Sequence, residues 1–176
     1  TILSVVATYI AKELELIAEF PLTLIGIAIV FPIVFSIGEA YKRREKALDE
    51  YASLKGHGRA LYFASRDWIH DQSEKHDEKL IVLLKNMFID ITEYFHTKNI
   101  GEGMEKEAAV YEQFSNLSKF IDSYRDRGLA GGEVSRSNQF LSKMIISFEK
   151  MKHIYQYRTP RSLRYYSKLF IYLLPI

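Results

Sequence analysis

Eighteen consecutive residues from Phe20 to Ile37, FPLTLIGIAIVFPIVFSI, carry no charge, and Gly38, Glu39, Ala40 and Tyr41 lead straight into the basic run Lys42, Arg43, Arg44, Glu45, Lys46. An uncharged run of this length, closed by cations, has the dimensions and flank of a membrane-spanning helix rather than of a buried core helix. Averaged composition hides the feature. Of 176 residues, 48% are hydrophobic and 26% charged, as in an ordinary globular chain. The apolar residues gather at the two ends, however, and nearly all the charge lies between residues 39 and 168.

The net charge of +2 is too small to mark a nucleic-acid surface, and the absence of cysteine excludes disulfides, thiolate metal sites and cysteine nucleophiles. TILSVVATYIA at the start has no basic segment before it and no cleavage site after it, so it reads as the end of a membrane helix rather than a signal peptide. Residues 165–176, YYSKLFIYLLPI, read as the beginning of another.

Lys and Arg beside a span are retained on the cytoplasmic side. Lys42, Arg43 and Arg44 follow the main span, and Arg158, Arg161, Arg164 and Lys168 surround the start of the last apolar segment, so both clusters belong on one side. Lys12, Glu13, Glu15 and Glu19, net acidic, suit the other. The expected organisation is the end of a first membrane helix and outer loop over 1–19, a second membrane helix over 20–41, a cytoplasmic helical region over 42–158 and the start of a third membrane helix over 159–176. The expected location is a cell (inner) membrane.

The insert has a helical rhythm, so the fold class is all-α. One long helix is expected to run from the span through Leu48, Tyr51, Leu61 and Trp68, with an interruption near Gly56, His57 and Gly58. A second covers about 77–96 with Leu80, Leu83, Leu84, Met87, Phe88, Ile91 and Phe95 buried, and Gly101-Glu102-Gly103 breaks it. A third covers about 106–124 with Val110, Phe114, Leu117 and Ile121 inward, stopping at the glycine-rich residues 128–133. A fourth covers about 135–155 with Phe140, Met144, Ile145, Phe148 and Met151 inward. Tyr62, Phe63 and Trp68 read as packing.

Residues with chemical potential are few. His70, Asp71, His76, Asp77 and Glu78 match no metal-binding pattern, and a separation of six positions puts the two histidines on opposite faces of a helix; a solvated loop and no metal are expected. The glycines fit neither a phosphate loop nor a dinucleotide fingerprint, and Ser, His and Asp lack an elbow motif. No cofactor and no enzymatic activity are expected. The basic clusters suit anionic lipid heads, anion attraction into a vestibule, or topology alone.

Residues 21–44, PLTLIGIAIVFPIVFSIGEAYKRR, resemble the second transmembrane segment of the bestrophin channels, above all the prokaryotic members: a proline, a Leu-Ile-Gly-Ile-Ala-Ile core, a Phe near the inner end and Ala40-Tyr41-Lys42-Arg43. Arg158-Thr159-Pro160 and the apolar residues from Tyr165 to Pro175 resemble the Thr-Pro turn and apolar start of that family's third membrane helix. The resemblance implies a homopentamer in membrane lipid that conducts small inorganic ions, chloride or other anions. Its neck would be formed by Ile27, Phe31 and Phe35, with Gly26 allowing close helix approach, Pro32 kinking the helix and Val134 at a second, cytoplasmic constriction. Spacings of four and four do place Ile27, Phe31 and Phe35 on one stripe of a helix. A narrow apolar ring gates by dewetting, and phenylalanine edges, which carry partial positive charge, favour anions. The alternative is a membrane-anchored helical interaction or sensor module without a pore. No nucleic-acid partner is expected.

Overall fold

The computed structural model describes residues 2–15, 22–69, 74–97, 99–157, 165 and 168. Among these the regular structure is entirely helical: α1 (Ile2–Glu13), α2 (Leu22–Trp68), α3 (Glu74–His96), α4 (Ile100–Asp122) and α5 (Gly131–Gln156). The all-α expectation holds. The chain divides into two compact units, one of Thr1–Lys46 with Tyr157–Ile176 and one of Ala47–Gln156.

In the second unit, the last part of α2 and helices α3, α4 and α5 enclose one apolar core. Buried positions on α4, Val110, Phe114, Leu117 and Ile121, alternate by four and three, and those on α5, Val134, Ser137, Leu141, Met144, Phe148 and Met151, do the same. This alternation keeps one stripe of a helix facing its neighbours. Leu54 and Leu61 of α2 and Leu80 and Met87 of α3, each pair seven residues apart, complete the centre and are fully buried. α3 packs on α4, and α4 on α5. At the polar edge, Ser147 donates to Ser53 (3.1 Å) and Lys150 to Glu50 (2.8 Å), tying α5 to α2.

Several boundaries differ from those read in sequence. α2 continues through Gly56, His57 and Gly58 because tertiary packing outweighs the weak helix propensity of glycine: Gly58 is buried near Leu84, Phe88 and Met144, and His57 stacks on Phe140. Gly101 and Gly103 do not break a helix either. They lie in the first turn of α4, where the Asn99 side chain accepts from Gly101 N (3.2 Å) and Asn99 O accepts from Gly103 N (2.9 Å). The α3–α4 turn is held from outside by the Tyr155 hydroxyl, which donates to Thr97 O at 2.7 Å. Between α4 and α5 the chain reverses through short-range backbone bonds to Gly128, whose φ of +79° is the left-handed conformation that glycine adopts without penalty.

In the first unit, α1 and the opening of α2 leave large apolar side chains exposed, among them Val5 and Tyr9 on α1 and Leu14 just after it. Among the described residues no helix is long and apolar enough to cross a membrane. The uncharged run is described only in part: Phe20 and Pro21 lie outside the described residues, as do the side chains of Leu22, Leu24, Ile25, Ala28, Ile29 and Pro32.

The packing yields a paired prediction. Leu117→Ala removes a fully buried side chain and should cost about 2–5 kcal/mol of stability. Ile146→Ala, on the exposed side of α5, should change stability by less than about 0.5 kcal/mol. Urea unfolding followed by far-ultraviolet circular dichroism measures both, and equal losses would contradict the assignment of the core.

Candidate functional site

The feature with the clearest functional potential is the surface of α2 before its basic run. Ile27, Phe31 and Phe35, spaced by four, are 56%, 61% and 54% exposed. The Phe31 and Phe35 rings lean on one another with centroids 4.4 Å apart and planes tilted by 53°. Successive positions four apart turn by about 40°, so the three form a stripe that winds slowly around the helix.

A second set was missed in the sequence. Val30, Val34, Ile37 and Tyr41 are also exposed, and with Ile27 they follow spacings of three, four, three and four. This is the seam by which a helix packs along a parallel neighbour. The stripe and the seam share Ile27 and together cover an arc of about 160°. Gly26, Ile33 and Ser36, on the remaining side, are half-buried. The uniformly apolar sequence conceals this division, because every face of the segment reads alike.

Other expected site residues fall in different places. A Cβ added to Gly26 would meet nothing within 4 Å among the described residues. α2 continues through Pro32. Lys42 is exposed and pairs with Glu39 one turn earlier (3.1 Å), Arg43 is half-buried and Arg44 is exposed. Arg158, Arg161 and Arg164 lie outside the described residues. Val134 requires a correction: it is 2% exposed and belongs to the core of the second unit, so in this fold its side chain is enclosed by protein and cannot line a constriction.

His76 also departs from expectation. It lies in the first part of α3, 7% exposed, with its ring stacked on Phe120 at 4.3 Å and tilted toward Tyr124 at 5.6 Å, rather than in a solvated loop. His70 and Asp71 are outside the described residues. Among the described residues no group of three or more His, Asp or Glu side chains could hold a metal ion.

The densest polar cluster in the second unit joins α4 to α5. Lys152 Nζ reaches Glu107 (3.0 Å), Glu149 (2.8 Å) and the Tyr111 hydroxyl (2.6 Å), and that hydroxyl donates to Glu149. Partial burial opposes the charge on Lys152, but its three acceptors outweigh this and raise its pKa. Burial likewise opposes ionisation of Glu149, yet the bonds from Lys152 and Tyr111 hold its carboxyl below the usual range. Burial pushes up the Tyr111 hydroxyl, and its bond to Glu149 adds to the effect. With three donors spent on three acceptors, Lys152 acts as a fixed tie between helices.

Tyr124 is different. It is fully buried, and burial pushes its hydroxyl up to about 12, an effect that the neighbouring Ser65 only partly offsets. No protein-family model, curated protein or solved structure matches this chain.

The Tyr124 environment sets an alkaline limit to stability. Above pH 10 the unfolded chain gives up this proton while the folded chain keeps it, so stability falls as pH rises from about 10 to 12, by about 3 kcal/mol in all. Tyr124→Phe should therefore be nearly neutral at pH 7 and should flatten this part of the stability profile. Unfolding midpoints of the two proteins between pH 8 and 12 test it; parallel curves would contradict the assignment.

Proposed function

We propose that this chain is a subunit of an oligomeric, bestrophin-like ion channel, in which α2 crosses the membrane and copies of it surround a pore for small anions. The observation that carries the reading is the exposed apolar arc of α2. A soluble monomer rarely leaves a contiguous apolar patch of more than a few hundred Å² uncovered, and such a patch marks a surface that meets lipid or protein. Here the arc runs from Ile27 in the uncharged segment to Tyr41 just beyond it, and stops where Lys42, Arg43 and Arg44 begin. That order, apolar and then cationic, is the one expected of a helix leaving the bilayer on the cytoplasmic side.

Within the arc, the stripe and the seam suit different tasks. The seam of Val30, Val34, Ile37 and Tyr41 offers a packing edge to a neighbouring copy, leaving Ile27, Phe31 and Phe35 to face the axis. A ring of such side chains in each copy makes an apolar neck in which water is unstable, and ions pass when the neck widens. The phenylalanine edges supply partial positive charge toward the axis, which favours anions over cations. The basic run beyond the neck adds a field that concentrates anions at that mouth. Bestrophin resemblance in residues 21–44 and 158–175 supports a pentamer in the cell membrane, with residues 42–158 cytoplasmic.

The intact protein, purified and incorporated into planar lipid bilayers, should form pentamers that carry chloride current. Replacing Ile27, Phe31 and Phe35 together by Ala should widen the neck and increase the current severalfold at equal protein density. Pentamers that never conduct, or monomers in detergent, would overturn the channel reading in favour of a simple membrane anchor.

A further inference from the structure

The second unit carries a surface groove between α2 and α3 that the channel reading does not use. Its volume is about 320 Å³. Leu84 and Phe88 of α3 give it half-buried apolar walls, and Ile81, one turn earlier on the same face, is 48% exposed at its side. From α2 come Gly58 and Tyr62. A Cβ at Gly58 would make only ordinary contacts with Leu84 and Met144 (3.7 Å) and with Phe88 (3.9 Å), so no clash demands glycine here; its effect is to leave the floor open.

Two cations border this apolar trough. Lys55 and Arg59 both line it, stand one turn apart on the same face of α2, and are exposed. Among the described residues neither makes a hydrogen bond or ion pair with an acid; Lys55 only lies over the Tyr51 ring, 5.4 Å from its centroid. Elsewhere in the unit, Arg66, Lys106, Lys150 and Lys152 are all paired with carboxylates. The groove is thus bordered by two cations whose charge no carboxylate neutralises.

The geometry points to a binding site for an anionic amphiphile with a single acyl chain, a medium- or long-chain carboxylate, whose tail lies in the trough and whose head meets Lys55 and Arg59. Size selects this class over a partner helix: the groove is at the lower end of the range for small-molecule pockets, whereas a helix about 10 Å across needs a longer trough. Charge selects an anionic head over a neutral one, and the apolar floor selects a hydrocarbon tail over a free inorganic anion. The site is independent of any pore in α2.

The test uses the intact chain in amphipol, so that no detergent competes, and a decanoate analogue bearing a diazirine on its tail. Irradiation should attach the probe saturably to the segments containing Ile81, Leu84 and Phe88, as mapped by mass spectrometry. Competition by hexanoate, octanoate and decanoate should strengthen about fourfold per added methylene until the trough is filled. Replacing both cations, Lys55→Gln with Arg59→Gln, should weaken decanoate about tenfold and leave decanol unchanged. Gly58→Leu, which places a helix-favouring side chain on the groove floor, should abolish labelling with the helical circular dichroism retained. Labelling that does not saturate or falls elsewhere, decanoate binding indifferent to the loss of both cations, or a groove already closed by a second copy of the chain would each overturn the proposal.

Discussion

Apolar side chains have to be covered by something other than water, and the two units of this chain meet that constraint differently. In the second unit the covering is internal. Leu54, Leu61, Leu80, Met87, Leu117 and Met144 lose their entire solvent exposure against one another, and each such side chain contributes about 1.5–3 kcal/mol. In the first unit Val5 and Tyr9 of α1 and the α2 arc from Ile27 to Tyr41 remain open. The same helix, α2, therefore carries a buried stripe near its end and an unburied one near its beginning. Exposed surface of that kind marks a place that lipid or another protein surface can cover.

Charge is distributed to match. In the second unit cations are used to join helices: Lys152 ties α5 to α4, Lys150 ties α5 to α2, and Lys106 bonds Glu93 across the α3–α4 pair. Most of these pairs are exposed and individually weak, and Lys152 gains more because its charge is shared among three acceptors in a partly buried setting. Lys55 and Arg59, which border the apolar groove between α2 and α3, are used differently: neither is tied to a carboxylate. Where a protein leaves positive charge uncompensated next to apolar surface, anionic ligands and anionic lipid heads are the complementary chemistry.

Much of the second unit was legible in the sequence. Val110, Phe114, Leu117 and Ile121 were read as one inward stripe and are all buried, as are Met144, Phe148 and Met151 on α5. The period of a helix reveals which face is apolar. It does not reveal which helix covers that face, and this is where the reading failed. The bestrophin resemblance put Val134 at a constriction, yet it opens the α5 heptad that continues through Ser137 and Leu141; the serines at 137 and 147 interrupt the apolar pattern while occupying core positions. His76 was read as part of a solvated loop, but Phe120 of α4 and Tyr124 in the turn after it cover its ring. Gly56, Gly58, Gly101 and Gly103 were weighed by propensity alone, which a buried face or a good N-cap overrides. In the uncharged run the difficulty was the opposite: with no charged residue and only Thr23 and Ser36 polar, periodicity had little to distinguish.

The two exposed rows of α2 place a geometric demand on the proposed pore. The row at Ile27, Val30, Val34, Ile37 and Tyr41 drifts by only about 20° per seven residues, so it stays nearly parallel to the helix and can follow a neighbouring helix over its length. Ile27, Phe31 and Phe35 instead rotate by about 40° at each step, and on a straight helix Ile27 and Phe35 point about 80° apart. They reach a common axis only if α2 is tilted, so that each turn presents the next residue as the helix crosses the pore wall. The mutual contact of the Phe31 and Phe35 rings adds a second constraint, because displacing one ring moves the surface on which the other rests. A change in helix tilt would then shift the rings together, and the apolar neck would open or close over two turns of helix as a unit rather than ring by ring.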